Sequence, residues 1–122
     1  MALDIYSELN TIFSEIEIPY GMGFYMGDGM EPVFIVYLVY SDDTTGRAED
    51  KIVQVTHRLK VDIIARSGAS FTEAERKVKI FLGNNGYSYK NGEGFADTKE
   101  PYDYHRVLYF DRHLRFDDLD FE

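Results

Sequence analysis

Ile5, Leu9, Ile12, Phe13 and Ile16 recur at the spacing that aligns side chains along one face of a helix, and Glu8, Asn10, Thr11 and Glu15 fall off that face. The pattern predicts an amphipathic, core-packing helix over residues 3–16, with Asp4 as its cap and Pro19 preventing much continuation. A different pattern begins at Val33. The run VFIVYLVY, Val33 to Tyr40, holds only β-branched, aliphatic and aromatic residues, as expected of a strand covered on both faces, by a helix on one side and by a neighbouring subunit on the other. From Ile52 to Arg66 the period is two: His57, Leu59, Val61, Ile63 and Ala65 alternate with Arg58, Lys60, Asp62, Ile64 and Arg66, which predicts a long strand with one core face and one charged face. Ser70 with Glu73 and Thr72 with Glu75 both match a capping box, and Ala74, Val78, Phe81 and Leu82 supply an apolar stripe. A second helix is therefore expected from about Ser70, with Gly83 or Gly86 in the left-handed position past its end. Residues 102–116 alternate again and predict a last strand with Leu108, Phe110, Leu114 and Phe116 on one face.

The stretches between these elements are less regular. Glycines at 21, 23, 27 and 29 do not match the dinucleotide-binding spacing, and Pro32 with a following strand replaces the helix such a site requires. Phe24, Tyr25 and Met26 are expected to form a short strand, with Gly27-Asp28-Gly29 as a turn. Residues 41–51, SDDTTGRAEDK, break the apolar pattern and predict an exposed loop, longer than a hairpin needs. Tyr87 to Lys90 and Phe95 are expected to be short strand segments around a turn at Asn91-Gly92, and residues 117–122 to be a loose acidic tail.

Composition narrows the function classes. The 122 residues carry 22 acids against 13 Lys and Arg, a formal charge of −9, which opposes the cationic footprint that duplex DNA demands. With no cysteine there is no thiol nucleophile, disulfide or zinc ribbon. The eight-residue apolar run is far short of the roughly 20 residues a membrane helix needs. No secretory leader pattern opens the chain. His57 lies on the apolar face of its strand and reads as a structural histidine. His105 and His113 share a face but stand about 26 Å apart along an extended strand, too far to share a metal through that strand. Ser67 and Ser70 lie where helix capping explains them, and no carboxylate pair is singled out for glycoside chemistry. Arg106 and Arg112 can pair with neighbouring acids, a contact usually worth under about 1 kcal/mol on a surface strand. These features predict a single non-enzymatic domain over residues 1–122, with no cofactor, metal, specific nucleic acid or membrane partner.

The order of elements predicts an α+β fold: one antiparallel or mixed sheet with two helices packed on it. The opening helix, the aromatic strand Val33 to Tyr40, the polar segment 41–51, the phrase VDIIARSG at 61–68, NNGYSY after the second helix and the closing strand YHRVLYFDRHLRF together resemble the tail terminator and tail-completion proteins of long-tailed bacteriophages. The resemblance spans nearly the whole chain and rests on elements and short phrases rather than on chemical residues. It implies a virion protein, assembled in the bacterial cytoplasm, that closes into a ring, commonly a hexamer, at the head-proximal end of the tail. Such a ring stops tube growth and offers a surface to the neck. Its partners would be further copies of itself, the tail-tube protein and the head-neck connector proteins. On this reading Asp42, Asp43, Arg47, Glu49 and Asp50 are expected to form an assembly arm that orders against a neighbour. A head-closure or tail-tube protein is the nearest alternative. A small binding adaptor, with residues 21–29 as a lip, is the next.

Overall fold

A computed structural model describes residues 4–24, 27, 29–45, 54–95 and 101–115. Helix α1 spans Ile5–Ile16, strand β1 Tyr20–Met22, β2 Val33–Thr45, β3 Gln54–Ala65, helix α2 Gly68–Asn84, β4 Tyr87–Phe95 and β5 Tyr104–Arg115. The strands form one sheet in the order β1-β2-β3-β5-β4. The β1–β2 pair is parallel and every other pair antiparallel, so the fold is α+β with a mixed sheet, not a purely antiparallel one. Because β5 lies between β3 and β4 and runs against both, β3, α2 and β4 make a split βαβ unit.

Asp4 starts α1 as expected: its carboxylate accepts from the backbone N–H groups of Tyr6 at 3.1 Å and Ser7 at 3.2 Å and from the Ser7 hydroxyl at 2.9 Å. These bonds to the charged form hold the Asp4 carboxyl below the usual carboxylate range. All five residues of the expected apolar stripe of α1 are buried. Helix α2 begins earlier than the capping boxes suggest. Its cap is Ser67, whose hydroxyl accepts from the Ser70 N–H at 3.2 Å, so Ser70 and Thr72 lie inside the helix. Beyond its end, Gly86 takes the left-handed conformation with φ +90°.

Both helices cover the same face of the sheet. Leu9, Ile12, Phe13 and Ile16 of α1 and Phe71, Ala74, Val78 and Leu82 of α2 join Ile35, Tyr37, Leu59, Val61, Ile63, Ala65, Leu108, Phe110 and Tyr87 in one core cluster. Phe13 stacks on Tyr37 with ring centroids 4.5 Å apart. Burial of this kind is worth roughly 1.5–3 kcal/mol for each large side chain.

Three local expectations are corrected. The short strand lies at Tyr20–Met22 rather than at Phe24 to Met26; Phe24 is exposed outside it, and Tyr25 and Met26 fall outside the described residues. It pairs there because Ile35 N–H donates to the Pro19 carbonyl at 2.9 Å and Gly23 N–H to the Tyr37 carbonyl at 2.8 Å. Ser41–Thr45 are not loop but a continuation of β2, paired with Gln54–Arg58 of β3 after a bulge at Tyr40. Asn91-Gly92 is not a turn, because β4 runs through it and absorbs irregularities on either side, between Tyr89 and Asn91 and between Glu93 and Phe95. The last strand is bounded at Tyr104 and Arg115 within the expected 102–116. Residues 117–122 lie outside the described residues.

Candidate assembly surface

Alternation along the strands sends every second side chain away from the helices. The uncovered face carries an apolar column on β2, from Phe34 through Val36 and Leu38 to Tyr40 at the bulge. Charges occupy the two central strands. Register sets Phe34 beside Ile64 and His105; Val36 beside Asp62 and Val107; Leu38 beside Lys60 and Tyr109; and Ser41 beside Arg58 and Asp111. Leu38 and Tyr40 are exposed, so no described residue of the chain itself covers this part of the strand's second face. Three further apolar residues outside this face, Met22, Phe24 and Met30, are also exposed.

Past the bulge β2 and β3 run on beyond the core cluster, with Asp111–Arg115 of β5 paired alongside Gln54–Arg58. The core cluster takes Val39 as a packed neighbour and Leu59 as a buried member, but none of residues 41–45 or 54–58. Five residues of strand beyond the bulge project roughly 16 Å. Cross-strand pairs hold this arm together: Asp42 bonds the His57 imidazole and Asp43 pairs with Arg58. Thr56, buried, lies 2.9 Å from the His113 ring nitrogen on β5. The expected assembly residues are therefore divided. Asp42 and Asp43 are strand residues with partners in their own chain, while Arg47, Glu49 and Asp50 lie outside the described residues. His57 is half-buried and carboxylate-bound, in keeping with a structural histidine.

His105 and His113 do share the uncovered face, each with its own partner: His105 Nε2 is 2.8 Å from Asp62, and His113 contacts Thr56. Among the described residues no three His, Cys, Asp or Glu side chains converge on a metal position, and no helix is long and apolar enough to cross a membrane.

Arg106 and Arg112 are placed differently from the surface pairs expected of them. Both point to the helix-covered face, and their partners are helix acids. Arg106 makes a two-oxygen contact with Glu75 at 3.0 and 3.1 Å, and Arg112 spans Glu8 at 3.3 Å to both oxygens. Glu8 also accepts from the Tyr87 hydroxyl at 2.7 Å, tying α1 to β4 and β5. Burial, reinforced by the Glu8 carboxylate, raises the Tyr87 hydroxyl well above the ordinary phenol range. These two clusters fix the helices on the sheet and leave the opposite face as the surface open to a partner.

On that face a concavity of about 460 Å³ lies beside the arm, lined by Tyr40, Arg58, Lys90, Asn91, Tyr109 and Asp111. Tyr40 and Tyr109 meet edge to face at 6.0 Å, and the Tyr109 hydroxyl donates to Glu93 at 2.7 Å. That bond to a carboxylate pushes the Tyr109 hydroxyl up to about 12. Sequence reasoning missed this grouping because Tyr40 and Lys90 sit at irregular positions in β2 and β4, where the period of two that assigns faces is interrupted. No family model matches the chain, and no curated protein matches it.

Proposed function

We propose that the chain is a subunit of a ring that caps the tail tube of a long-tailed bacteriophage or prophage, stops its growth and presents the surface that the neck joins. The observation that carries this reading is the three-stranded extension of the sheet, residues 41–45, 54–58 and 111–115, which runs past the core cluster and whose outer strand is held by its own Asp42–His57 and Asp43–Arg58 pairs. An extension that lies outside the main core cluster is suited to pack on a neighbour. A ring closes when such a projection meets a different surface on the next copy. The uncovered face supplies that second surface, with the β2 column of Phe34, Val36, Leu38 and Tyr40. Pairing through the sheet edges is less suited to the task. The free edge β1 is three residues long, and the free edge β4 carries two irregularities and Lys90, devices that blunt an edge. The element order adds the resemblance to tail terminators.

Negative-stain electron microscopy of particles made with the gene deleted tests the proposal. Overlong tails with unattached heads are the expected result. Headless tails of normal length would move the protein to the neck, and intact infectious particles would overturn the reading.

A further inference from the structure

The lining of the concavity beside the arm holds two cations, Arg58 and Lys90, against one carboxylate, Asp111, on a chain whose formal charge is −9. Lys90 is 53% exposed and Arg58 37%, whereas Asp111 between them is 12% exposed; the adjoining Lys60 and Asp62 repeat the contrast at 42% and 16%. Asp111 and Asp62 are thus folded into the sheet while Lys90 and Lys60 face outward; Asp43, the partner of Arg58, is itself 46% exposed. Lys90 stands 3.9 Å from Asp111, and Lys60 3.9 Å from Asp62, beyond hydrogen-bonding reach, so their ammonium donors are open to a further acceptor. Arg58 is already engaged on one flank by Asp43. Tyr40 and Tyr109 give the site two aromatic rings.

One segment of the chain matches this chemistry. Residues 116–122, FDDLDFE, carry acids at 117, 118, 120 and 122 and apolar side chains at 116, 119 and 121. Strand β5 passes the concavity at Asp111 and runs away from it to Arg115, about 13 Å further on. Seven residues reach at most about 23 Å, and a return to the chain's own concavity would spend part of that length on a reversal. A neighbouring copy needs no reversal. We propose that the concavity lined by Tyr40, Arg58, Lys90 and Tyr109 receives the acidic-aromatic segment 116–122 of a second copy of this chain, carboxylates on the cations and phenylalanines against the tyrosines. The proposal rests on the ring reading for its choice of a neighbouring copy, and the contact it supplies shares Arg58 with the arm.

The test uses the full chain with its own segment neutralised as a competitor by Asp117→Lys, Asp118→Lys and Asp120→Lys. A fluorescent peptide of residues 115–122 is titrated against it at low salt and followed by anisotropy. Saturable binding is expected, at least ten-fold tighter than that of the same peptide with asparagine at 117, 118 and 120. Lys90→Glu in the receptor should weaken it at least five-fold, while Lys77→Glu, the same charge change on α2, should leave it within two-fold. In parallel, sedimentation of the unsubstituted chain should show concentration-dependent association that the three lysine substitutions abolish. No peptide binding, equal binding of the asparagine peptide, indifference to Lys90→Glu, or a single-copy mass at every concentration would each overturn the proposal. Its failure is separable from that of the ring reading: overlong tails on gene deletion with no peptide binding would sink this contact alone, and peptide binding with intact particles would sink the ring alone.

Discussion

Replacing Glu8 with alanine exposes how much of the fold depends on one helix-to-sheet anchor. The substitution removes the acceptor of the Tyr87 hydroxyl, 2.7 Å away on a residue only 3% exposed, and both oxygens that Arg112 contacts at 3.3 Å. A buried hydroxyl left without a partner costs about 1–3 kcal/mol. A fully buried guanidinium stripped of its carboxylate would cost about 3–5 kcal/mol, which falls to about 1–2 kcal/mol for a side chain that keeps one-fifth of its surface in water, as Arg112 does. The two penalties share a site and do not add fully, so Glu8→Ala should cost about 2–4 kcal/mol. Tyr87→Phe removes the donor together with its need and should cost only about 0.5–1.5 kcal/mol. The chain has no tryptophan, so unfolding in urea is best followed by circular dichroism at 222 nm. With a slope of about 2 kcal/mol per molar urea, the midpoint should fall by roughly 1–2 M for Glu8→Ala. In the double variant the loss should be smaller than the sum of the single losses, since Tyr87 no longer has a hydroxyl to strand. A midpoint within about 0.3 M of the unsubstituted protein, or strictly additive losses, would refute the assignment of Glu8 as the shared acceptor.

Gly86→Ala should destabilise by about 1–2 kcal/mol in the same assay, because φ is +90° there and a Cβ would overlap the Arg112 guanidinium that Glu8 holds in place; Gly83→Ala, where no atom crowds the added Cβ, is the contrasting control. Leu59→Ala removes a fully buried side chain at the centre of the cluster and should cost about 2–5 kcal/mol, read as a lower urea midpoint with an unchanged slope. Tyr87, Tyr109 and Tyr37 all have hydroxyls raised above the ordinary phenol value of 10.0, for Tyr109 to about 12. Since the folded values exceed the unfolded ones, this contribution is fully present below about pH 10 and is lost as pH rises through 10 toward 12 and above. The urea midpoint should therefore drop over that window, less steeply in Tyr87→Phe, and an ultraviolet titration should show Tyr37, Tyr87 and Tyr109 ionising late. Asp4 shows the opposite sign, its carboxyl being held low, so Asp4→Ala should remove stability at neutral pH that the unsubstituted protein itself loses as acid protonates the cap.

The layers of the fold were legible because helix and strand periods are imposed by burial on one side. The stripe from Ile5 to Ile16 and the alternation from Leu59 to Ala65 both coincide with buried positions. Legibility failed where burial did not impose a period. Ser41–Thr45 are polar on both faces, and only their pairing with Gln54–Arg58 makes them strand. Asn91-Gly92 has the composition of a turn but is held in β4 by β5. Three hydroxyl residues, Ser67, Ser70 and Thr72, compete to cap α2; the capping-box spacing pointed to Ser70 and Thr72, and Ser67 is the cap. The parallel β1 strand has three residues, too few to show any period. The candidate surface was only half visible. The apolar run of β2 signalled a second cover, but the partners of Asp42 and Asp43, and the reach of Arg112 to Glu8 across most of the chain, are tertiary facts with no local trace.

The strand order has a consequence for biosynthesis. The central neighbours β3 and β5 are joined along their whole length, from Ala65 with Tyr104 to Gln54 with Arg115, and α2 and β4 are made between them. A chain emerging from the ribosome must therefore hold β3 ready, with Leu59, Val61 and Ile63 lacking one flank, until β5 has cleared the exit tunnel. Pairing so distant in sequence closes slowly, and a nascent chain stalled after α2 would display an unpaired, apolar central strand. Production of this protein should accordingly be sensitive to chaperone supply and to premature termination ahead of Tyr104, more than to changes in the arm.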